Sequence, residues 1–157
     1  GPWYYEQIDL GYNYRITDIQ CALIISQLDK IEKFAARRRQ IVERYNEAFA
    51  QIPEITVQQE IPESDTTRHL YILRIKSELL NIDRKGFFEA LAAENICCNV
   101  HYIPVYRHPY YEKGLCPEAE KLYNEIISLP LYYSLTDKDV EDVITAVSKI
   151  AAYYRKK

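Results

Sequence analysis

The sequence predicts an α+β domain in which helices cover one face of a small sheet. Three observations carry that expectation. Beyond residue 50 the local patterns run strand, strand, helix, strand, helix, helix. From Thr17 to about Ala50 no glycine or proline interrupts a helical pattern. Of the 157 residues, 48% are hydrophobic, enough for a core, and 27% are charged, enough for a solvated surface.

Residues 1 to 16 read as irregular, punctuated by Gly1, Pro2 and Gly11. Thr17 has the character of an N-cap. Gln20 completes a capping box, and Ile16 and Cys21 occupy the staple positions. Ile24, Leu28, Ile31 and Ala35, then Ile41, Tyr45 and Phe49, recur at helical spacing. One straight helix of that length is unusual in a small domain. Two segments, or a kinked helix leaving one domain for another, are therefore expected, with the break near Asp29 to Phe34. Residues 1–30 then read as the end of one domain and 31–157 as a second.

Pro53 ends the helical region, and Ile55-Thr56-Val57 is a short strand candidate. Glu60 to Thr67 is a polar loop. Arg68 to Lys76, rich in Leu, Tyr and Ile, is the clearest strand. Asp83 can cap a helix running to about Asn95, with Phe87, Phe88, Leu91 and Ala92 as its apolar stripe. Ile96 to Tyr102 reads as a further strand, and Ile103 to Gly114 as a loop of Pro, Tyr and His. Pro117 fits the first turn of a helix that ends before Pro130. Thr136 with Asp139 resembles another cap, leading into a helix with Val140, Val143, Ile144, Val147 and Ile150 on one side. Asp137 and Asp139 read as helix-start charges.

Charge and cysteine usage narrow the function classes. A formal charge of −3 argues against a dedicated nucleic-acid binder. Arg37-Arg38-Arg39 is the densest basic run, but Glu32, Glu43 and Glu47 lie nearby, so a solvated helix face is expected rather than an anion patch. Cys21, Cys97, Cys98 and Cys116 form no C-x-x-C pair, which argues against a tetrahedral zinc site. Free thiols suit a reducing, cytoplasmic setting. No run of 18 apolar residues and no signal-peptide pattern occurs, so no membrane span is expected. Most of the 15 tyrosines should be core or domain-interface rings with one wet edge.

No hydrolytic or nucleotide-loop constellation is present: no G-x-S-x-G, no H-E-x-x-H and no Walker glycine loop. Of the three histidines, His69 alternates into a strand and reads as structural, and His108 as an exposed loop residue. His101 sits at the end of a predicted strand, where it can be an ordinary hydrogen-bonded histidine or meet a ligand. Gly11-Tyr12-Asn13-Tyr14-Arg15 crowds amide, phenol and guanidinium groups before a helix start. Asn13 can donate to a phosphate oxygen and Arg15 can fork onto a phosphate or carboxylate, helped by the helix dipole. A capping turn with an exposed arginine is the alternative.

The run Leu10 to Gln20, followed by Gln27-Leu28, resembles the signature of the DegT/DnrJ/EryC1/StrS sugar aminotransferases. Arg68-His69-Leu70-Tyr71, Val100-His101-Tyr102-Ile103-Pro104 and Ser128-Leu129-Pro130-Leu131 extend the resemblance in order across nearly the whole chain. Those are pyridoxal-phosphate enzymes of the aspartate-aminotransferase fold (fold type I). The likeness is to their C-terminal part: the small α+β domain and the long helix linking it to a large domain absent here. That absent part would hold the Schiff-base lysine; Lys30, Lys33 and Lys76 do not stand in the family's lysine motif. The resemblance therefore implies a fragment that is inactive alone and supplies no catalytic residue.

Carried over by position, the resemblance makes Asn13 and Arg15 cofactor-binding residues that reach the phosphate of a neighbouring subunit, implying a homodimer with composite sites. Asn99, Val100, His101 and Tyr102 match the segment that contacts a nucleotide-sugar. The stretch ending at Tyr106 is most similar to the pseudaminic-acid branch, whose members aminate a UDP-linked 4-keto-6-deoxy-N-acetylhexosamine. Glutamate would supply the amino group by a ping-pong route, in the making of surface polysaccharide or glycan precursors. Within the family the rival is a pyridoxamine-dependent sugar dehydratase, decided by a residue outside this chain. Outside it, the rival is a non-catalytic α+β interaction module.

Overall fold

Thr17 starts the first helix as the sequence predicts. In the computed structural model, which describes residues 2–111, 114 and 116–157, its hydroxyl accepts from the Gln20 amide at 3.3 Å. The Gln20 side chain answers by accepting from the Thr17 amide at 2.9 Å. Gly1 and the part of the Ile103–Gly114 loop at 112 and 113 lie outside the described residues. Helix α1 spans Asp18–Leu28, a turn at Asp29 and Lys30 follows, and α2 spans Ile31–Phe49. The break thus falls inside the expected interval. Contacts divide the chain into two compact units, Gly1–Glu32 and Lys33–Lys157.

The first unit buries none of the α1 residues. Trp3, Tyr5, Ile8, Leu10, Tyr12, Tyr14, Ile19, Leu23 and Ile25 are all exposed. Most tyrosines are expected as core or domain-interface rings, and few of them lie in the core. Tyr45 and Tyr71 are the buried ones, and Tyr4, Tyr5, Tyr12, Tyr14, Tyr102, Tyr110 and Tyr153 stand exposed.

The second unit is built on a three-stranded antiparallel sheet in the order β1-β2-β3. Strand β1 is Ile55–Val57 and β2 is Tyr71–Ile75, with Ile55 opposite Ile75. The predicted strand Arg68–Lys76 is shorter than expected because Arg68 has φ 52°, which breaks the extended chain. His69 is consequently exposed and outside β2, not a structural residue within it. Asp83 caps α3, Arg84–Ala93, by accepting from the Gly86 amide at 2.8 Å.

Two sequence-based expectations fail together. The helix begun by Pro117 stops at Glu125 (α4, Pro117–Glu125), and Ile126–Leu129 is strand β3 instead of more helix. A short, wholly buried apolar run has no period to separate strand from helix. Ile96 to Tyr102, expected as a strand, is irregular, and its main chain joins the sheet at Asn99, which exchanges bonds with Ser128 at 3.1 and 2.8 Å. The next amide, that of Val100, is taken by the Asn99 side chain at 2.7 Å and so is withdrawn from any ladder.

Thr136 and Asp139 form a second capping box at the start of α5, Asp137–Tyr154. Side chains of α2, α3 and α5 share one core with Tyr71, Leu73 and Ile75 of β2 and with Ile127 and Leu129 of β3. By the two-residue alternation of a strand, Ile126 and Ser128 lie on the other face of β3, yet both are buried.

The Arg37-Arg38-Arg39 run is half-buried and is not a solvated face. Arg37 donates to the Leu135 carbonyl at 2.7 Å and to Asp137 at 2.9 Å, and Arg39 pairs with Asp65 at 2.9 Å. The Arg37 hydrogen bond, then its charge, hold the Asp137 carboxyl below the usual range. No helix among the described residues is long and apolar enough to cross a membrane.

Candidate functional site

Two groups of residues singled out from the sequence fall in different units. In the first, Asn13 and Arg15 lie in the exposed stretch before α1, beside Tyr14, Ile16, Gln20, Leu23 and Ile24, which line one shallow depression with them. Capping of α1 is done by Thr17 and Gln20, and neither Asn13 nor Arg15 takes part. Their amide and guanidinium donors have no hydrogen-bond partner among the described residues. Free planar donors just ahead of a helix N-terminus suit the phosphate of a cofactor.

In the second unit, Asn99, Val100, His101 and Tyr102 form one continuous surface segment beside β3. Two contacts pin it. Asn99 and Ser128 exchange main-chain hydrogen bonds, and the His101 Nδ1 lies 2.9 Å from the Ser128 Oγ. His101 is half-buried, and Tyr102 is 72% exposed with its ring edge-on to the imidazole at 4.7 Å. The segment therefore presents a wet phenol beside an imidazole held at one nitrogen.

The chain then passes through a 3-10 turn, Val105–Arg107, inside the loop expected over Ile103–Gly114. Arg107 forks onto Glu120 of α4, its Nε donating at 2.9 Å, and its guanidinium covers the Tyr123 ring at 4.6 Å. Arg84, at the start of α3, lies 5.3 Å from the centre of the same ring. The Arg107 hydrogen bonds hold the Glu120 carboxyl below its ordinary range. Ser128, Arg107 and Glu120 were not singled out for a site role by sequence reasoning. The one available signal was Ser128 itself, the single polar residue in Ile126-Ile127-Ser128-Leu129.

All four cysteines are free, and burial pushes the Cys98 thiol up to about 12, which leaves it protonated and unreactive at neutral pH.

The profile of the DegT/DnrJ/EryC1/StrS aminotransferase family matches residues 2–148, and the chain belongs to that family. The spore coat polysaccharide biosynthesis protein SpsC of Bacillus subtilis is 39% identical over 96% of this chain and 40% of SpsC. Among solved structures, Helicobacter pylori PseC, an aminotransferase of pseudaminic acid biosynthesis, superimposes with a TM-score of 0.84 at 26% identity, over 97% of this chain and 42% of PseC. Spr1654 of Streptococcus pneumoniae in its PLP form gives 0.83 at 29% identity, over 96% of this chain and 40% of Spr1654. The fold is thus that of the pyridoxal-phosphate aminotransferases. Pyridoxal phosphate is the cofactor of this family. The chain spans about two fifths of the length of the curated relatives it matches.

Proposed function

We propose that this chain is the C-terminal part of a pyridoxal-phosphate-dependent enzyme that transfers an amino group from glutamate to a nucleotide-linked 4-keto-6-deoxy sugar. On this reading residues 1–30 end the large domain and residues 31–157 make the small domain. The observation that carries it is the surface segment Asn99–Tyr102, pinned to β3 by Asn99 and His101 in a chain that belongs to a sugar aminotransferase family.

Each residue has a distinct task. Asn13 and Arg15 would bind the cofactor phosphate, and their freedom from other partners supports that role. In a homodimer they would serve the partner's site, so the active centre is composite. When bound, pyridoxal phosphate supplies the electron sink for amino transfer. The residues of this chain bind and orient: Asn99, Val100, His101 and Tyr102 form one wall for the sugar, and their contribution is positioning rather than proton transfer. A UDP-linked N-acetylhexosamine is the proposed substrate, by likeness to the branch to which PseC belongs, with surface polysaccharide or glycan precursors as the destination. The chain alone is inactive on this reading, and the whole enzyme works in the cytoplasm.

The test is steady-state kinetics of the whole protein. His101→Ala should raise the KM for the UDP-linked 4-keto-6-deoxy-N-acetylhexosamine well above any change in the KM for glutamate. Equal effects on both KM values would reject His101 as part of the sugar wall.

A further inference from the structure

Strand β3 is buried along its whole length, and three of its four residues are aliphatic. The fourth, Ser128, is 3% exposed. A hydroxyl moved from water to such a place is destabilising unless it is hydrogen-bonded. Alanine or valine would fill the position without that cost, so packing does not account for the serine. Its side-chain partner is the His101 ring, at Nδ1 and 2.9 Å, 27 positions earlier in the chain. The same residue's main chain exchanges two bonds with Asn99. Ser128 therefore grips the segment at two points, at the backbone of Asn99 and at the ring of His101.

We propose that Ser128 is the positioning residue of the sugar wall: it holds the His101 imidazole by Nδ1 and so fixes the ring's orientation and leaves Nε2 for the ligand. This rests on the reading of His101 as a sugar contact. A serine hydroxyl can donate to Nδ1 or accept from it, so the bond sets where the ring points in either tautomer. Tyr102, edge-on to the ring, limits its rotation from the side. The hydroxyl lies on the face of β3 away from the main core, so its loss would alter the ring more than the packing of Ile127 and Leu129.

The experiment uses the whole protein with 15N-labelled histidine, and the UDP-linked 4-keto-6-deoxy-N-acetylhexosamine with glutamate as substrates. In Ser128→Ala the 15N shift of the His101 Nδ1 should move, because that nitrogen loses its hydrogen bond. The KM for the nucleotide sugar should rise by about fivefold to twentyfold, the worth of one hydrogen bond, with the KM for glutamate unchanged. Ser128→Thr, which keeps the hydroxyl, should restore both readouts, and the double variant with His101→Ala should be no worse than His101→Ala alone. Ser128→Cys, close in size and a poor hydrogen-bonder, serves in place of the alanine variant if that one does not fold. Unchanged His101 15N shifts in a folded Ser128→Ala or Ser128→Cys protein would overturn the proposal. If the shifts move but His101→Ala leaves the sugar KM untouched, the grip on the ring stands and the sugar-wall reading falls. If His101→Ala raises that KM and Ser128→Ala does not, the sugar wall stands and the positioning role is overturned.

Discussion

The Tyr45 hydroxyl donates to the Pro130 carbonyl at 3.0 Å, tying the buried middle of α2 to the residue that leaves β3. The ring is fully buried and lies against Phe49 and Tyr71. Burial, the largest influence, pushes its phenol upward, so it stays a neutral donor across the physiological range.

Tyr45→Phe keeps the ring but leaves the Pro130 carbonyl without that donor. A loss of about 1–2 kcal/mol is expected, the ordinary worth of such a bond with a partner left unsatisfied. Urea unfolding should show a lower midpoint at an unchanged slope. An unaltered midpoint would mean that water replaces the phenol.

Glu54 and Arg155 join the start of the sheet to the end of α5, with Nε to Oε1 at 2.5 Å and the second guanidinium nitrogen to Oε2 at 3.0 Å. Glu54 is 2% exposed, and its pKa is lowered, chiefly by the Arg155 hydrogen bonds. A carboxyl lowered on folding contributes stability above its unfolded pKa of about 4.3. That contribution is lost as pH falls through the folded value. Wild-type protein should therefore lose stability below about pH 4.3, and Glu54→Gln should flatten that part of the profile. Parallel profiles for the two proteins would count against the pair.

Asn13→Ala should weaken retention of pyridoxal phosphate in the whole protein by about tenfold or more, since a hydrogen bond to a charged group is lost. Dialysis followed by the absorbance of bound cofactor measures it. Arg15→Lys should fail to restore what Arg15→Ala loses, because lysine lacks the planar fork. Full cofactor occupancy in both single variants would remove these residues from the phosphate site.

Arg107 anchors the turn that follows the Asn99–Tyr102 segment through Glu120 and Tyr123. Arg107→Ala should make residues 103–111 cut several-fold faster by a protease, since a loop without its anchor opens more often. Arg107→Lys should recover little, as a point charge neither forks onto Glu120 nor stacks flat on the ring. Equal cleavage rates would show that the turn is held by its own backbone bonds.

How far the fold could be read from the sequence followed from how local the deciding interaction was. The caps at Thr17, Asp83 and Thr136 depend on residues three positions apart, and all three form as expected. The short strand at Ile55–Val57 and the break after Leu28 were equally legible. Ile126–Leu129 was missed because burial on both faces erases the period that marks a strand. Arg37 and Arg39 looked solvated because their partners, Asp137 and Asp65, lie 100 and 26 positions away. The same distance effect hid Ser128 behind His101. Asn13 and Arg15 were conspicuous through side-chain chemistry alone, and the phosphate role proposed for them rests on the family resemblance.

Helix α1 has aliphatic residues at Ile19, Leu23, Ile24, Ile25 and Leu28, and none of them is buried. Its 11 residues rest on one capping box and intrinsic propensity, marginal support for so short a helix. In deuterated water its amides should exchange by fraying, while those of Ile41 to Phe49 wait for the core to open. Slow exchange in α1 would then be a direct clock on whatever molecule or segment covers that face.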